Sequence, residues 1–554
     1  MKKLVMAFVL LVLFSFLIQS SFAAEPAEYK EGSITLKVFS SIDVEYKIKG
    51  IGHVTTELNF IPPTTWRQGI ETLTTDAPNA EIKNLGDKII FEWSRPKEER
   101  LDFRMNADVY TRNDIIKIDG KVNYPIDQKD LSEYASEFVE PTKFIDSNSG
   151  ALANKARELA EGETDLFIVT HKIAEWVRTN VKYDLNTLTA DVVQPSSWVY
   201  QNRIGVCDEV TNLFIAMLRS LGIPAKFISG VVYTNTFDKF DAHGWAEVYF
   251  PKHGWVPFDI VFAQYGFLDP SHVELQASKD PSEPAVVHKW SGFDIEPGKV
   301  NIEADFKSLS KPADKLVNLN INILKNDVGF GSSVPIEISV ENLQAFYLPI
   351  TIIITKAPMS FSENVRSILL KPHEKKSVSW LIKIPTDLEK GYSYSSIIEV
   401  KDIFGQNASA ELRYGDNPII TEEEAKAFFK PEETGKTFLK DIEFKCSLDK
   451  NKYNIGDFVN VHCTLKNSGN IKLEDIKVCF KDDCSFFDIL RINEKRDINF
   501  GFKLKGPLSE GKDILVVRLE NENILEYRYL NVNISLNWYE KVWMFFSNLW
   551  GAVF

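Results

Sequence analysis

Apolar residues recur at helical spacing in a few places in the first half of the chain and at every second position over most of the rest. Val210, Leu213, Phe214, Met217, Leu218 and Leu221 fall on one 3.6-residue face, and Gly222 with Pro224 stops the run, so the pattern predicts a helix opening at Cys207. Upstream, residues 151–160 and 166–181 predict two more helices, the second with Leu166, Val169, Ile173, Trp176 and Val177 on its inner face and Thr164 as its cap. Downstream the period changes to two. Residues 225–233, 244–250 and 255–258 predict three strands, and the four-residue loop Pro251-Lys252-His253-Gly254 makes the last two antiparallel neighbours.

The flanking regions alternate as half-buried strands do. Ile34-Thr35-Leu36-Lys37-Val38-Phe39 opens an all-β domain over residues 25–138, ahead of the α+β segment 139–300. Later, Val317, Leu319, Ile321 and Ile323 alternate with Asn318, Asn320 and Asn322. Gly331-Ser332-Ser333-Val334 leads to Asn342 and Gly456-Asp457-Phe458-Val459 to Asn467, eleven residues from glycine to asparagine in both. That repeat predicts two related β-sandwiches, 310–415 and 439–535, similar to the immunoglobulin-like modules of cell-surface proteins. Between them, at 416–438, Thr421-Glu422-Glu423-Glu424 is a capping box ahead of a short helical linker ended by Pro431.

Composition narrows the class. A length of 554 residues bounds about three to five domains, and 44% hydrophobic residues are ample for packed cores. A net charge of −14 without a basic cluster argues against nucleic acid as a partner. Lys2-Lys3, an apolar run over 4–18 and Ser21-Phe22-Ala23 predict a signal peptide over 1–24, the alternative being an uncleaved anchor. The tail 536–554 carries Trp538, Trp543 and Trp550; it is too short to span a bilayer and is expected either to lie on a membrane surface or to dock on the last domain. The protein is therefore expected outside the cytoplasm, secreted or attached to the outer face of the membrane. Four of five cysteines, Cys446, Cys463, Cys479 and Cys484, crowd into one stretch; four permit three connectivities, and local pairing favours Cys446 with Cys463 and Cys479 with Cys484. Such pairs imply an oxidising compartment and leave Cys207 as the odd thiol.

Cys207 at a helix start, His243 opening a strand and Asp259 ending the next form the parts of a thiol nucleophile, its base and the base's orienter. Unpaired N–H groups at the helix start favour a thiolate. Read alone, Cys207 is a small buried hydrophobe and His243 a core histidine; their order with Asp259 reverses that. His253 and His272 are expected to face solvent or serve structure, and Asp208 and Glu209, whose charge opposes a thiolate, to point elsewhere. Trp198, Gln201 and Trp245 are candidate substrate or oxyanion contacts, with aromatic core packing as the bland reading for the tryptophans. No metal-binding or nucleotide-binding motif is present, and neither a metal nor an organic cofactor is predicted.

Gly205-Val206-Cys207-Asp208-Glu209, the helix through Leu221-Gly222-Ile223-Pro224-Ala225, His243-Gly244-Trp245-Ala246-Glu247-Val248-Tyr249 and Gly254-Trp255-Val256-Pro257-Phe258-Asp259 together resemble the transglutaminase-like superfamily in its prokaryotic, archaeal form. The resemblance runs from about 139 to about 290 and takes in Gly266-Phe267-Leu268-Asp269-Pro270-Ser271-His272. It implies a papain-like or transglutaminase-like core, with Cys207 as nucleophile, His243 as base then acid, and Asp259 holding the imidazole tautomer. One departure stands out: the family usually follows its aspartate with Pro-Thr, whereas Ile260-Val261 follows here. The expectation is a multidomain α+β exported thiol enzyme acting on amide bonds of a polypeptide or cell-envelope substrate. It would be a peptidase or amidase; the alternatives are a crosslinking acyltransferase and a non-catalytic surface protein that binds polypeptide or serves structure.

Overall fold

Strands dominate the computed structural model, which describes residues 25–535 except 46–51, 186–192, 236, 293, 360–363, 430–435, 505–510 and 523. The predicted signal segment and the tail with Trp538, Trp543 and Trp550 lie outside the described residues.

The 17-residue strand Tyr29–Glu45 organises the first β unit. Arg100–Arg112 pairs along one edge, and Asp294–Pro297 and Asn301–Pro312 along the other. A second sheet, ordered Val286–Ser291, His53–Leu58, Ile89–Ser94, Glu81–Asn84, shares its core, where Ile34, Leu36 and Val38 meet Val54, Phe91 and Trp93. The unit thus does not end at residue 138. Strands from Val286 onward return to it, which corrects the boundary expected at 300: Ile302, Ala304 and Phe306 give that late segment one apolar face, and it packs on the same core. The α+β segment is an insertion in this β unit.

In the insertion, helices Gly150–Ala160, Leu166–Asn180, Ser196–Asn202 and Cys207–Arg219 accompany a five-stranded sheet ordered Gln264–Tyr265, Gly254–Asp259, Lys239–Phe250, Ala225–Thr234, Val273–Ser278. Leu213, Phe214, Met217 and Leu218 of the last helix are wholly buried in one core with Ala246, Val248 and Phe250 of the sheet. Each such side chain contributes about 2 kcal/mol of burial. Its C-terminal end is pinned by Arg219, which donates to the carbonyls of Ala225 (3.0 Å), Glu140 (3.0 Å) and Lys279 (2.9 Å). Two local expectations change. The Leu166–Asn180 helix is capped by Asp165, whose carboxylate accepts from the Phe167 N–H at 3.0 Å, while Thr164 receives Lys121 Nζ. Asp165 takes the cap because it also accepts the Tyr347 hydroxyl at 2.7 Å, joining the helix to the next unit. The His243 strand starts at Lys239, so His243 lies within it and not at its beginning.

The C-terminal half repeats one layout. Val317–Ile323, Ser333–Asn342 and Lys375–Lys383 form a three-stranded sheet that shares a core with a five-stranded one; Ile442–Leu448, Phe458–Asn467 and Lys495–Lys503 do the same further on. The asparagines ending the repeat are buried equivalents. Asn342 Nδ2 donates to the carbonyls of Phe346 (2.9 Å) and Lys371 (2.8 Å), and Asn467 Nδ2 to those of Ile471 (2.8 Å) and Leu490 (3.0 Å). Between the units, Thr421 caps the helix Glu422–Lys426 with Glu424 reciprocating. Cys446 is bonded to Cys463 and Cys479 to Cys484, each across directly paired strands, and these two disulfides suggest an oxidising environment. No helix among the described residues is long and apolar enough to cross a membrane.

Candidate active site

Cys207 is the first residue of its helix, and Glu209 closes that helix end: its carboxylate accepts from the N–H groups of Val206 (3.1 Å) and Gln194 (3.2 Å). Thr211 Oγ1 donates to the Gly244 carbonyl at 3.0 Å, clamping the helix to the strand that carries His243. The approach is so close that a Cβ on Gly244 would stand 2.4 Å from the Phe227 ring and 2.7 Å from Asp208 Oδ1. Only glycine fits between the helix that begins at Cys207 and the strand that bears His243.

His243 is buried, and its Nε2 lies 2.6 Å from Asp259 Oδ2, which leaves Nδ1 free. The other oxygen of Asp259 accepts from the Phe262 N–H at 3.0 Å. Ile260, in place of the family's proline, is wholly buried in the helix–sheet core, and Val261 packs against it. The departure therefore does not move Asp259 away from His243. Burial alone would raise the Asp259 carboxyl, but His243 and His272 outweigh it and hold the group well below the usual carboxylate range.

Of the two places expected for His272, the structure excludes solvent: it is fully buried, with Nε2 3.0 Å from Asp259 Oδ2 and Nδ1 3.2 Å from Asp269 Oδ1. Asp269 also accepts from Gln264 Nε2 (2.7 Å) and the Ser271 N–H (2.7 Å), and Arg67 of the first β unit donates to the carbonyls of His272 (2.9 Å) and Asp269 (3.0 Å). Burial lowers the His272 pKa, yet the flanking Asp269 and Asp259 override it and raise it to about 9. A chain thus runs His243, Asp259, His272, Asp269. His243, Asp259 and His272 bring possible ligand atoms within 4.8 Å of one another, a donor set of the kind that holds a metal ion, and both imidazoles share one carboxylate oxygen as a hydrogen-bond partner.

A raised folded-state pKa stabilises below the unfolded value of about 6.5 and loses that contribution as pH rises through about 9. Folding stability is expected to fall by about 3 kcal/mol across that window on account of His272. Urea melts at pH 6, 7.5 and 9.5 check this. In His272→Gln the slope should flatten; an unchanged slope removes the imidazolium assignment.

The thiol reverses two expectations. Asp208 points at it: Cys207 Sγ donates to Asp208 Oδ1 at 3.6 Å. Burial and then the Asp208 charge raise the thiol pKa well above its ordinary value, against the Gly244 N–H, which pulls it down. The helix start is outweighed first by burial and then by the carboxylate one residue away. Asp208 is itself pushed up by burial and by Glu209, with His243 pulling the other way. Tyr183 is a neighbour the sequence did not signal. Its strand Lys182–Tyr183 pairs with Ile204–Gly205, just before Cys207, and burial followed by the Cys207 and Asp208 charges raises its phenol pKa.

Of the accessory candidates, Trp198 is half-buried against the helical core and Gln201 is exposed, and neither hydrogen-bonds the triad residues. Trp245 is 1% exposed, packed with Ile228 and Leu268, its ring 6.2 Å from that of His243 and 5.4 Å from that of His272. It packs beneath the histidine pair, on the same face of the strand as His243.

Part of the chain is similar to known proteins. Residues 153–260 match the transglutaminase-like superfamily, a span that contains Cys207, His243 and Asp259. Over 219 residues, 36% of this chain, the sequence is 26% identical to the uncharacterized protein YebA of Bacillus subtilis, and it spans about a quarter (26%) of that relative's length. Among solved structures, a putative cysteine protease from Cytophaga hutchinsonii is similar at 18% identity and a TM-score of 0.40, covering 51% of this chain and 93% of that one. Red sea bream transglutaminase is similar at 10% identity and a TM-score of 0.19, covering 92% and 95%.

Proposed function

We infer that the transglutaminase-like domain spanning residues 153–260 is the catalytic part of an exported thiol hydrolase that cleaves amide bonds in polypeptide or cell-envelope substrates. The observation that carries this reading is the 2.6 Å bond from His243 Nε2 to a buried Asp259, beside a helix that begins with the chain's unpaired cysteine. An imidazole held by Nε2 has Nδ1 free to take a thiol proton. In the reaction, Cys207 Sγ turns from Asp208 toward His243 and attacks the carbonyl carbon as Nδ1 takes its proton. The oxyanion forms at the Cys207 backbone N–H, and His243 returns the proton to the departing amine. Water, activated by the same imidazole, then releases the acyl group. The two disulfides support an oxidising setting, in which immunoglobulin-like modules would carry the enzyme at the cell surface.

The test is product analysis. The purified chain is incubated with a glutamine-containing peptide, with and without a lysine-like amine. Free acid product in both samples is expected. An amine adduct instead replaces hydrolysis by crosslinking, and no turnover of peptide libraries together with an unreactive Cys207 replaces it by polypeptide binding alone.

A further inference from the structure

His272 and Asp269 form a second hydrogen-bonded pair directly behind Asp259, and the hydrolysis proposed above gives them no part. Each ring nitrogen of His272 already faces a carboxylate oxygen, Nε2 that of Asp259 and Nδ1 that of Asp269, so neither is left to exchange a proton with a substrate. Whatever His272 does for the reaction passes through Asp259.

The turn that carries the pair is held from outside the helix–sheet insertion. Carbonyls in and just after it accept from side chains of the first β unit: those of Asp269 (3.0 Å) and His272 (2.9 Å) from Arg67, that of Pro270 from Thr111 Oγ1 (2.5 Å), and that of Glu274 from Gln68 Nε2 (3.0 Å). All three donor residues are buried. The backbones meet so closely that a Cβ on Gly32 would stand 3.0 Å from the Pro270 carbonyl oxygen.

Asp259 needs such a brace. Among the described residues, its Oδ1 accepts from the Phe262 N–H, and its Oδ2 faces His243 and His272. His243 is the group to be aimed, so the fixed reference comes from the Phe262 N–H and His272 together. Without His272 one such bond remains, and the carboxylate can turn about its soft terminal torsion. We propose that His272 is a positioning residue of the site: held in place by the first β unit, it fixes Asp259 Oδ2 where that oxygen orients His243. The proposal rests on the reading of Cys207, His243 and Asp259 as the reacting constellation.

Two amide variants of the full chain test it. The Nε2 of glutamine reaches about as far as the imidazole Nε2 and can donate to Asp259, whereas the Nδ2 of asparagine stops at the level of Nδ1, beside Asp269. Both variants remove the ring, so their difference reads the bond to Asp259. With the glutamine-containing peptide, His272→Asn is expected to show a kcat about tenfold or more below that of His272→Gln, with KM within about threefold. The second readout needs no turnover. In protein labelled with ¹⁵N-histidine, the His243 Nε2–H proton, held 2.6 Å from Asp259, should give a low-field resonance that is lost in His243→Gln. It should persist in His272→Gln and move upfield or broaden in His272→Asn. Equal kcat in the two variants overturns the proposal, as does a resonance that His272→Asn leaves in place. If the parent chain cleaves no peptide, the hydrolase reading fails, and the resonance alone decides whether His272 holds Asp259 toward His243. Should either variant fail to fold, Thr111→Val takes its place, keeping the volume and losing the bond to Pro270. A shifted resonance there supports the proposal, and an unmoved one sinks it.

Discussion

His243→Gln is expected to lower amide turnover by about three orders of magnitude with little change in the melting temperature. Glutamine keeps a donor for Asp259, so the buried carboxylate retains partners in its new neighbour, in His272 and in the Phe262 N–H. What it lacks is a basic ring nitrogen. The loss should therefore fall on kcat and not on the fold, and steady-state kinetics with a cleaved peptide beside a thermal melt separates the two. Turnover within threefold of the parent chain would remove His243 from the chemistry.

Asp208→Asn is expected to act in the opposite direction. The carboxylate that now receives the Cys207 thiol disfavours the thiolate, and asparagine keeps its shape in the tight gap against Gly244. Removing one negative charge beside a half-buried sulfur lowers the thiol pKa, and each unit of that fall raises the thiolate fraction at pH 7 about tenfold. Iodoacetamide labelling of Cys207 should be about tenfold faster or more. Slower or equal labelling would mean that burial alone sets the thiol, since burial is the other large cause of its raised pKa.

The helix that begins at Cys207 and the strands bearing His243 and Asp259 were legible because their signals are local. Six apolar residues at helical spacing define a face, and one short loop fixes a hairpin. His272 was not legible in its role. Its neighbours Asp269 and Ser271 mark a turn, and only the pairing of Val273–Ser278 with Ala225–Thr234 carries the imidazole under Asp259. Asp208 was misjudged for a related reason: a sequence shows its charge, while the direction of its side chain follows from Gly244 having no Cβ. The cap at Asp165 instead of Thr164 was decided by Tyr347, a residue 182 positions away. The return of Val286–Ser291 and Asn301–Pro312 to the first unit depends likewise on which edges remain open.

That return sets an order of events during synthesis. Leu36 lies opposite Ala304, 268 residues later (304 − 36 = 268). At roughly 5–20 residues per second, the ribosome takes on the order of 15–55 s to deliver the partner strand. Throughout that interval the longest strand among the described residues, with Ile34, Leu36 and Val38 on one face, has an open edge. The helix–sheet insertion is made entirely within the same interval, so the segment that carries Cys207, His243 and Asp259 is finished before the frame that holds its two ends together can close.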